Sequence, residues 1–244
     1  NGTNTMILDD NSRISLSNND NSNTGNTIFG HTAFNCASDN VSDYNVVIGQ
    51  GAMGVGTVAA AAHNVAIGAD AIADSTSATG NVAIGSSSMY NATSGVSNVA
   101  IGRQSMGLGI VTGNYNIAIG ETSGYDLTSG IYNTLLGAYA GQNVTTANKL
   151  VFIGANAGDA VTVTNTDNVS DGTVGVGFEA LKLLTSGAGN TAIGYTALAA
   201  LTSGAKNVAI GYQALMGHTT GSSNIAIGYG AMDGTAGDVN DAPA

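Results

Sequence analysis

One short phrase, Asn-x-Ala-Ile-Gly, recurs along this chain at a nearly fixed spacing. The closing glycines of its twelve copies are mostly 17 residues apart, with two early spacings of 19, one of 18 and one of 23, the last between Gly154 and Gly177. A unit this short cannot bury its own apolar residues, so it has to stack on its neighbours. The sequence therefore predicts an elongated stack of coils rather than a globule around a central pocket. The best preserved repeat positions are Asn81, Ile84, Gly85, Asn98, Ile101, Gly102, Asn190, Ile193, Gly194, Asn207, Ile210 and Gly211.

The order of residues within one copy predicts a short strand. Val208 and Ile210 are two residues apart and share one face, while Ala209 points to the other. Gly211 closes the strand, as expected where φ is positive or another backbone comes very close. Because both faces are apolar, we expect both to be covered: the bulky pair by a roomy core, and the alanine by a close neighbour.

The rest of the copy leaves two questions open. The apolar pair Ala214 and Leu215 fits either a second short strand or a single helical turn, since so few residues show no clear period. The repeated asparagine fits either a hydrogen-bonded ladder along the stack or a residue that tolerates a turn. Taken together, the pattern predicts an all-β fold, a parallel β-solenoid of about twelve 17-residue coils. We expect a leader or cap over 1–25, the solenoid over 26–232 and a linker over 233–244.

The composition argues against several kinds of partner. Only 9% of the residues are charged and the net charge is −11, with the five cations scattered singly. Binding to nucleic acid or to anionic membrane surfaces needs clustered cations, so neither is expected. The chain has no run of about 18 apolar residues, so no membrane-spanning helix is predicted. Solubility that rests on Asn, Ser and Thr favours an extracellular or virion surface.

The sequence shows no catalytic constellation and no cofactor motif. Glycan cleavage needs a paired acid and base, yet Glu121 and Glu179 are the only glutamates and lie several repeats apart. An ice-binding solenoid needs regular threonine rows, and threonine recurs only sporadically in the strands. We therefore expect neither an enzyme nor a cofactor, and no metal site.

Two groups of residues are candidate surface contacts. Tyr195, Tyr212 and Tyr229 each follow a closing glycine, and fit either a sugar-binding stripe or a structural tyrosine ladder. Asp167 and Asp171 lie in the longest interval. Their neighbourhood has oxygen-bearing residues at alternate positions, a faint calcium-like pattern that lacks the closing glutamate. A plain polar loop is the alternative interpretation.

The repeated phrase resembles the head repeats of trimeric autotransporter adhesins, which form left-handed parallel β-rolls with three chains around one axis. The period of that family is nearer fourteen residues, whereas 17 dominates here. The longer form, Gly-Tyr-x-Ala-Leu followed by Thr-(Ser/Thr)-Gly, resembles repeats of phage tail fibres, as does the segment Ile7 to Asp20.

The resemblance implies a homotrimeric fibre on a virion tail or cell surface, with a host cell-surface glycan or protein as partner. The favoured function is a phage tail-fibre shaft for host attachment, and the alternative is the head of a bacterial adhesin. Close packing of three chains would place methyl-sized side chains at the axis. We therefore expect the strand alanines, such as Ala83 and Ala209, to form that contact.

Overall fold

The computed structural model describes residues 24–34, 41–55, 58–161 and 171–233. Within them the chain forms twelve three-residue strands, which make one parallel sheet in chain order. We number the coils by their strands. The strands are β1 (Thr27–Phe29), β2 (Val46–Ile48), β3 (Val65–Ile67), β4 (Val82–Ile84), β5 (Val99–Ile101), β6 (Ile117–Ile119), β7 (Thr134–Leu136), β8 (Val151–Ile153), β9 (Val174–Val176), β10 (Thr191–Ile193), β11 (Val208–Ile210) and β12 (Ile225–Ile227).

Each strand pairs with the next at equivalent positions of the repeat. Val82 lies opposite Val99, and Ile84 lies opposite Ile101. The backbone N–H of Val82 donates to the carbonyl of Asn98 at 2.9 Å. This arrangement confirms the predicted parallel β-solenoid with one coil per repeat. At about 4.8 Å per rung, the eleven steps from β1 to β12 span about 53 Å.

The orientation of the strands contradicts our expectation for the alanines. In β2 to β12 the middle residue is buried, whereas the first and third are half-buried or exposed. Ala83 and Ala209 have no exposed surface within the single chain, so they cannot meet a second chain. The flat coil leaves only a thin interior, and a bulky side chain from the turn, such as Met89 or Leu215, occupies it. The bulky strand residues therefore face outward.

The connection between strands contains neither a second strand nor a helix in the described residues. It is a run of bends in which left-handed residues recur at fixed places. In the coil that follows β10 these are Thr196 (φ 51), Leu198 (φ 51) and Lys206 (φ 60). A non-glycine residue in this conformation costs roughly 1–2 kcal/mol. Burial of Leu198 in the core offsets part of that cost.

The closing glycine of each strand is required by close stacking. Gly85 has φ 133, and a Cβ atom there would collide with the carbonyl group of Gly102 in the next coil. The same collision would occur in successive coils, for example between Gly102 and Gly120. Only glycine permits this approach, and the approach is what allows the strands to pair at the normal distance.

Candidate interaction surface

The outward side of the sheet is an apolar strip, which we call the strand face. It consists of the first and third residues of β1 to β12, all of them apolar except for three threonines. Ile119 and Ile193 are each 39% exposed, and Ile227 is 68% exposed. None of these positions carries a charge, although the net charge of the chain is −11.

The size of the strand face makes it unusual for a free surface. Three residues of strand are about 10 Å wide, so a strip about 53 Å long covers roughly 500 Å² in projection. The largest contiguous apolar patch on a monomeric protein is roughly 300–600 Å², and such a patch is often a contact site. We therefore regard the strand face as the principal candidate interaction surface.

Stacked aromatic rings border the strand face near the C-terminal end. Phe178, Tyr195, Tyr212 and Tyr229 each follow a closing glycine, and their ring centroids are 5.0–5.4 Å apart with interplanar angles of 4–13°. We call these four residues the aromatic column. Sequence reasoning had identified the three tyrosines but had missed Phe178, which occupies the same repeat position after Gly177.

The ring geometry bears on the two interpretations of these tyrosines. Sugars stack on the faces of aromatic rings, but in the aromatic column the faces of successive rings cover each other. Tyr195 and Tyr212 therefore present mainly ring edges and hydroxyl groups, and Tyr229, 81% exposed, lies at the end of the stack. This arrangement favours the structural ladder, and contact with a partner remains a prediction.

The repeated asparagines form a hydrogen-bonded ladder in the core, which resolves the second question left open by the sequence. The backbone N–H of Asn116 donates to Oδ1 of Asn98 at 2.8 Å, and Asn116 Nδ2 donates to the same oxygen at 3.1 Å. Asn116 Nδ2 also donates to the carbonyl of Gly130 at 2.7 Å. The ladder is buried, so these asparagines are structural rather than contact residues.

The ladder has one interruption, at the coils of β8 and β9. Leu150 and Thr173 occupy the asparagine position there, and the N–H of Leu150 still donates to Oδ1 of Asn133 at 3.0 Å. The ladder resumes at Asn190. Its members are Asn26, Asn45, Asn64, Asn81, Asn98, Asn116 and Asn133 before the interruption, and Asn190, Asn207 and Asn224 after it.

Asp171 is held in the fold by its own hydrogen bonds. Its Oδ1 accepts the backbone N–H of Asn148 at 2.7 Å, and its Oδ2 lies 3.4 Å from Asn148 Nδ2. The carboxylate therefore ties the end of the longest interval to the preceding coil. Asp167, the other acidic candidate, lies outside the described residues.

Within the described ranges, the ionisable groups do not converge on one place. Glu121 pairs with Arg103, and Glu179 pairs with Lys182 at 2.7 Å. Burial raises the pKa of the Asp126 carboxyl. Burial also raises the pKa of Asp159, against the opposing charge of Lys182. In the described part of the chain, no three His, Cys, Asp or Glu side chains come together as a metal site.

Across the described ranges, no helix has the length and apolarity needed to cross a bilayer. Comparison of the chain with protein-family models, curated proteins and solved structures finds no match.

Proposed function

We propose that this chain is the shaft of a homotrimeric attachment fibre, in which three solenoids pack through their strand faces. The observation that carries the proposal is the uncharged apolar strip along the whole stack. A rod with one such face suits closed threefold packing, because each copy then hides its strip against the other two. We favour a phage tail as the structure that carries this fibre, which there contacts a host cell-surface glycan or protein.

The resemblance to fibre and adhesin repeats supports this reading, and the strand face supplies the physical reason for assembly. Attachment follows from multivalency, since three copies bound to one surface add their weak contacts. The chain acts here by binding and not by catalysis. It takes no cofactor, and nucleic acid is not a partner because the few cations are scattered.

The first experiment is the solution mass by light scattering after size exclusion. We expect about 72 kDa, which is three copies of the 24.0 kDa chain. A mass of one chain at micromolar concentration would overturn the trimer.

A matched pair of variants tests the strand face itself. Ile119→Lys places a charge on the strand face, whereas Ser129→Lys places the same charge on an exposed turn of the same coil. We expect Ile119→Lys to elute as a monomer and Ser129→Lys to keep the trimer mass. Equal masses for the two variants would contradict packing through the strand face.

Attachment is tested with the same pair of proteins, labelled and incubated with intact bacterial cells. The trimeric Ser129→Lys protein should be retained through washing far better than the monomeric Ile119→Lys protein, because its three copies bind together. The alternative is that the chain is the head of a bacterial adhesin, which would pack in the same way. Phage tail genes or an outer-membrane anchor beside the coding sequence would distinguish the two.

A further inference from the structure

One histidine occupies a core position of the solenoid. His218 follows Leu201 by 17 residues, and each donates its backbone N–H to the carbonyl three residues earlier at 3.1 Å, as Leu184 does. His218 is 1% exposed, which makes it nearly as buried as the two leucines. His31 and His63, the other histidines of the chain, are exposed. A polar, titratable ring thus lies in coil 11 where neighbouring coils have leucine.

The contacts of Asn224 define the role of each nitrogen of the His218 ring. Asn224 Nδ2 lies 3.0 Å from Oδ1 of Asn207 and 3.2 Å from the carbonyl oxygen of Ser222, so it can only be the donating end of the amide. His218 Nε2 lies 3.1 Å from the same Nδ2 and therefore accepts. The neutral ring then carries its proton on Nδ1, which is buried and has no hydrogen-bond partner in the described residues.

His218 also takes part in the asparagine ladder. Asn207 Nδ2 donates to Oδ1 of the preceding ladder residue and to the carbonyl of Gly221 at 2.8 Å. Asn224 Nδ2 donates to the ladder in the same way, but within the described ranges its inter-residue acceptor at the turn is the imidazole of His218. The ring therefore joins coil 11 to coil 12 through a bond that only its neutral form can make.

The surroundings supply no counter-charge for a protonated ring. Between residues 190 and 233, which form coils 10 to 12, the charged side chains are Lys206 and Asp233, and the tyrosines belong to the exposed aromatic column. Lys206 is exposed, and in the described part of the chain no ion pair joins His218 to a carboxylate. In coil 9, Glu179 and Lys182 pair with each other.

We propose that His218 makes the junction between coils 11 and 12 sensitive to acid. A proton on Nε2 places an N–H donor against the Nδ2 donor of Asn224 and leaves a positive charge in the core without a partner. When the junction opens, the ring reaches water and takes up the proton without this cost. The open state therefore binds more protons, and the junction loses stability as the pH falls. This inference concerns the core and does not depend on the proposed attachment function.

Two buried carboxyl groups act in the opposite direction. Burial raises the pKa of Asp126 in coil 6 and of Asp159 in coil 8. The folded coils hold these protons more tightly than the unfolded chain does, so this effect adds stability as the pH falls. A loss of protection confined to coils 11 and 12 is therefore not their effect.

The test is hydrogen exchange at single-residue resolution, expressed as protection relative to an unstructured chain at the same pH. The N–H groups of Leu215 and Asn224 join coils 11 and 12, at 2.9 Å to the carbonyl of Ala231 and at 3.0 Å to Oδ1 of Asn207. We expect their protection to fall about tenfold or more between pH 7.5 and pH 5, because one additional proton in the open state changes its population up to tenfold per pH unit below about 6.5. Met89, in coil 4, is the internal reference and should keep its protection. Unchanged protection at Leu215 and Asn224 would overturn the proposal.

Two variants identify the group that takes up the proton. His218→Leu restores the residue found at Leu201, so the protection of Leu215 and Asn224 should no longer depend on pH. Asp233→Asn removes the carboxyl group of coil 12 and should leave the acid effect in place. An acid effect that persists in His218→Leu, or that disappears in Asp233→Asn, would contradict the assignment to His218.

Nitrogen NMR of the His218 ring gives a readout that needs no variant. At pH 7.5 we expect a neutral ring with its proton on Nδ1, since Nε2 accepts from Asn224. A ring that is charged at this pH, or that carries its proton on Nε2, would overturn the proposal.

Discussion

At the scale of single residues, the asparagine ladder shows how a polar side chain stabilises a thin core. Asn98 bonds to three neighbours: its Oδ1 accepts the backbone N–H of Asn116, its Nδ2 donates to the carbonyl of Gly113, and its backbone N–H donates to Oδ1 of Asn81. These bonds are inaccessible to water, so the loss of one partner leaves a buried donor or acceptor unpaired. The side chain of Asn98 therefore contributes more to the stability of the fold than its small volume suggests.

We predict that Asn98→Ala lowers the free energy of unfolding by roughly 2–4 kcal/mol, because it leaves several buried groups unpaired. Asn91→Ala is the matched control, since the Asn91 side chain makes a single hydrogen bond, to the carbonyl of Leu108, near the surface. Its cost should stay below about 1 kcal/mol. Urea unfolding at fixed protein concentration measures both variants, and equal costs would contradict a structural ladder.

A second residue-scale feature is an exchange of volume inside the core. Where most strands have a middle alanine, β8 has Phe152, and the turn residue that is Leu or Met in many coils is there Gly158. A Cβ atom at Gly158 would collide with the Phe152 ring, and one at Gly175 in the next strand would lie 3.0 Å from it. The two glycines thus provide the space that the ring fills.

The double variant Phe152→Ala with Gly158→Leu should restore the ordinary coil. Phe152→Ala alone should cost about 3–5 kcal/mol through the cavity it leaves, and Gly158→Leu alone should clash with the ring. Leucine fits the left-handed backbone at this position, as Leu198 and Leu215 show at φ 51. We expect the double variant to be more stable than either single variant in thermal unfolding. Additive costs would contradict the exchange of volume.

At the scale of the coil, the position that closes each strand requires glycine, whereas the other positive-φ positions accept residues with a side chain. Gly85 needs glycine because of the neighbouring backbone, whereas Gly80 (φ 69) lies at a place where other coils have Ser97 or Tyr115. Both are positive-φ glycines in one repeat. Gly85 differs from Gly80 both in its contact with the next coil and in its φ of 133, a region that side-chain-bearing residues rarely adopt.

We therefore expect Gly85→Ala to cost at least about 3 kcal/mol, since the new methyl group would push the adjacent coil away. Gly80→Ala should cost only about 1 kcal/mol, the usual price of a left-handed alanine. Thermal unfolding of the two variants side by side is the measurement. Similar melting temperatures would contradict a specific requirement for glycine at the end of the strand.

The coil also shows which features the sequence alone could predict. Strand positions, the parallel stack and the role of Gly85 all followed from the spacing of one phrase. The direction of Ala83 did not, because a three-residue strand with two apolar faces looks the same from either side. The outcome depended on which face the turn side chain Met89 packs against, and this is a tertiary contact. Phe178 was missed because the notable residue after the glycine was taken to be tyrosine.

At the scale of the whole molecule, the stack is modular. Each coil contacts mainly its two neighbours, so its stability is close to a sum of coil and interface terms. The core and the strand face continue from one coil to the next, and the asparagine ladder does so except at the coils of β8 and β9. Removing one complete repeat should therefore shorten the rod without breaking it.

Deletion of residues 190–206 removes one 17-residue repeat and brings Asn207 into the place of Asn190. We expect a folded protein about 5 Å shorter by small-angle X-ray scattering, since one rung is lost. Deletion of 190–198 is the control, because it removes the strand and the start of the turn and leaves an incomplete repeat. That protein should lose cooperative unfolding, and equal behaviour of the two deletions would contradict a modular stack.

A stack of near-identical coils has a weakness of its own, since any strand finds an acceptable neighbour one repeat too early or too late. Misthreading of this kind, in which a coil is looped out, would retain most hydrogen bonds and would be slow to correct. The irregular coils distinguish the correct alignment of the strands from alignments shifted by one repeat. Phe152 fits where Gly158 and Gly175 leave room and would clash against a coil that already holds leucine and alanine. The departures from the repeat thus destabilise the shifted alignments, so that a repetitive chain folds with a single register.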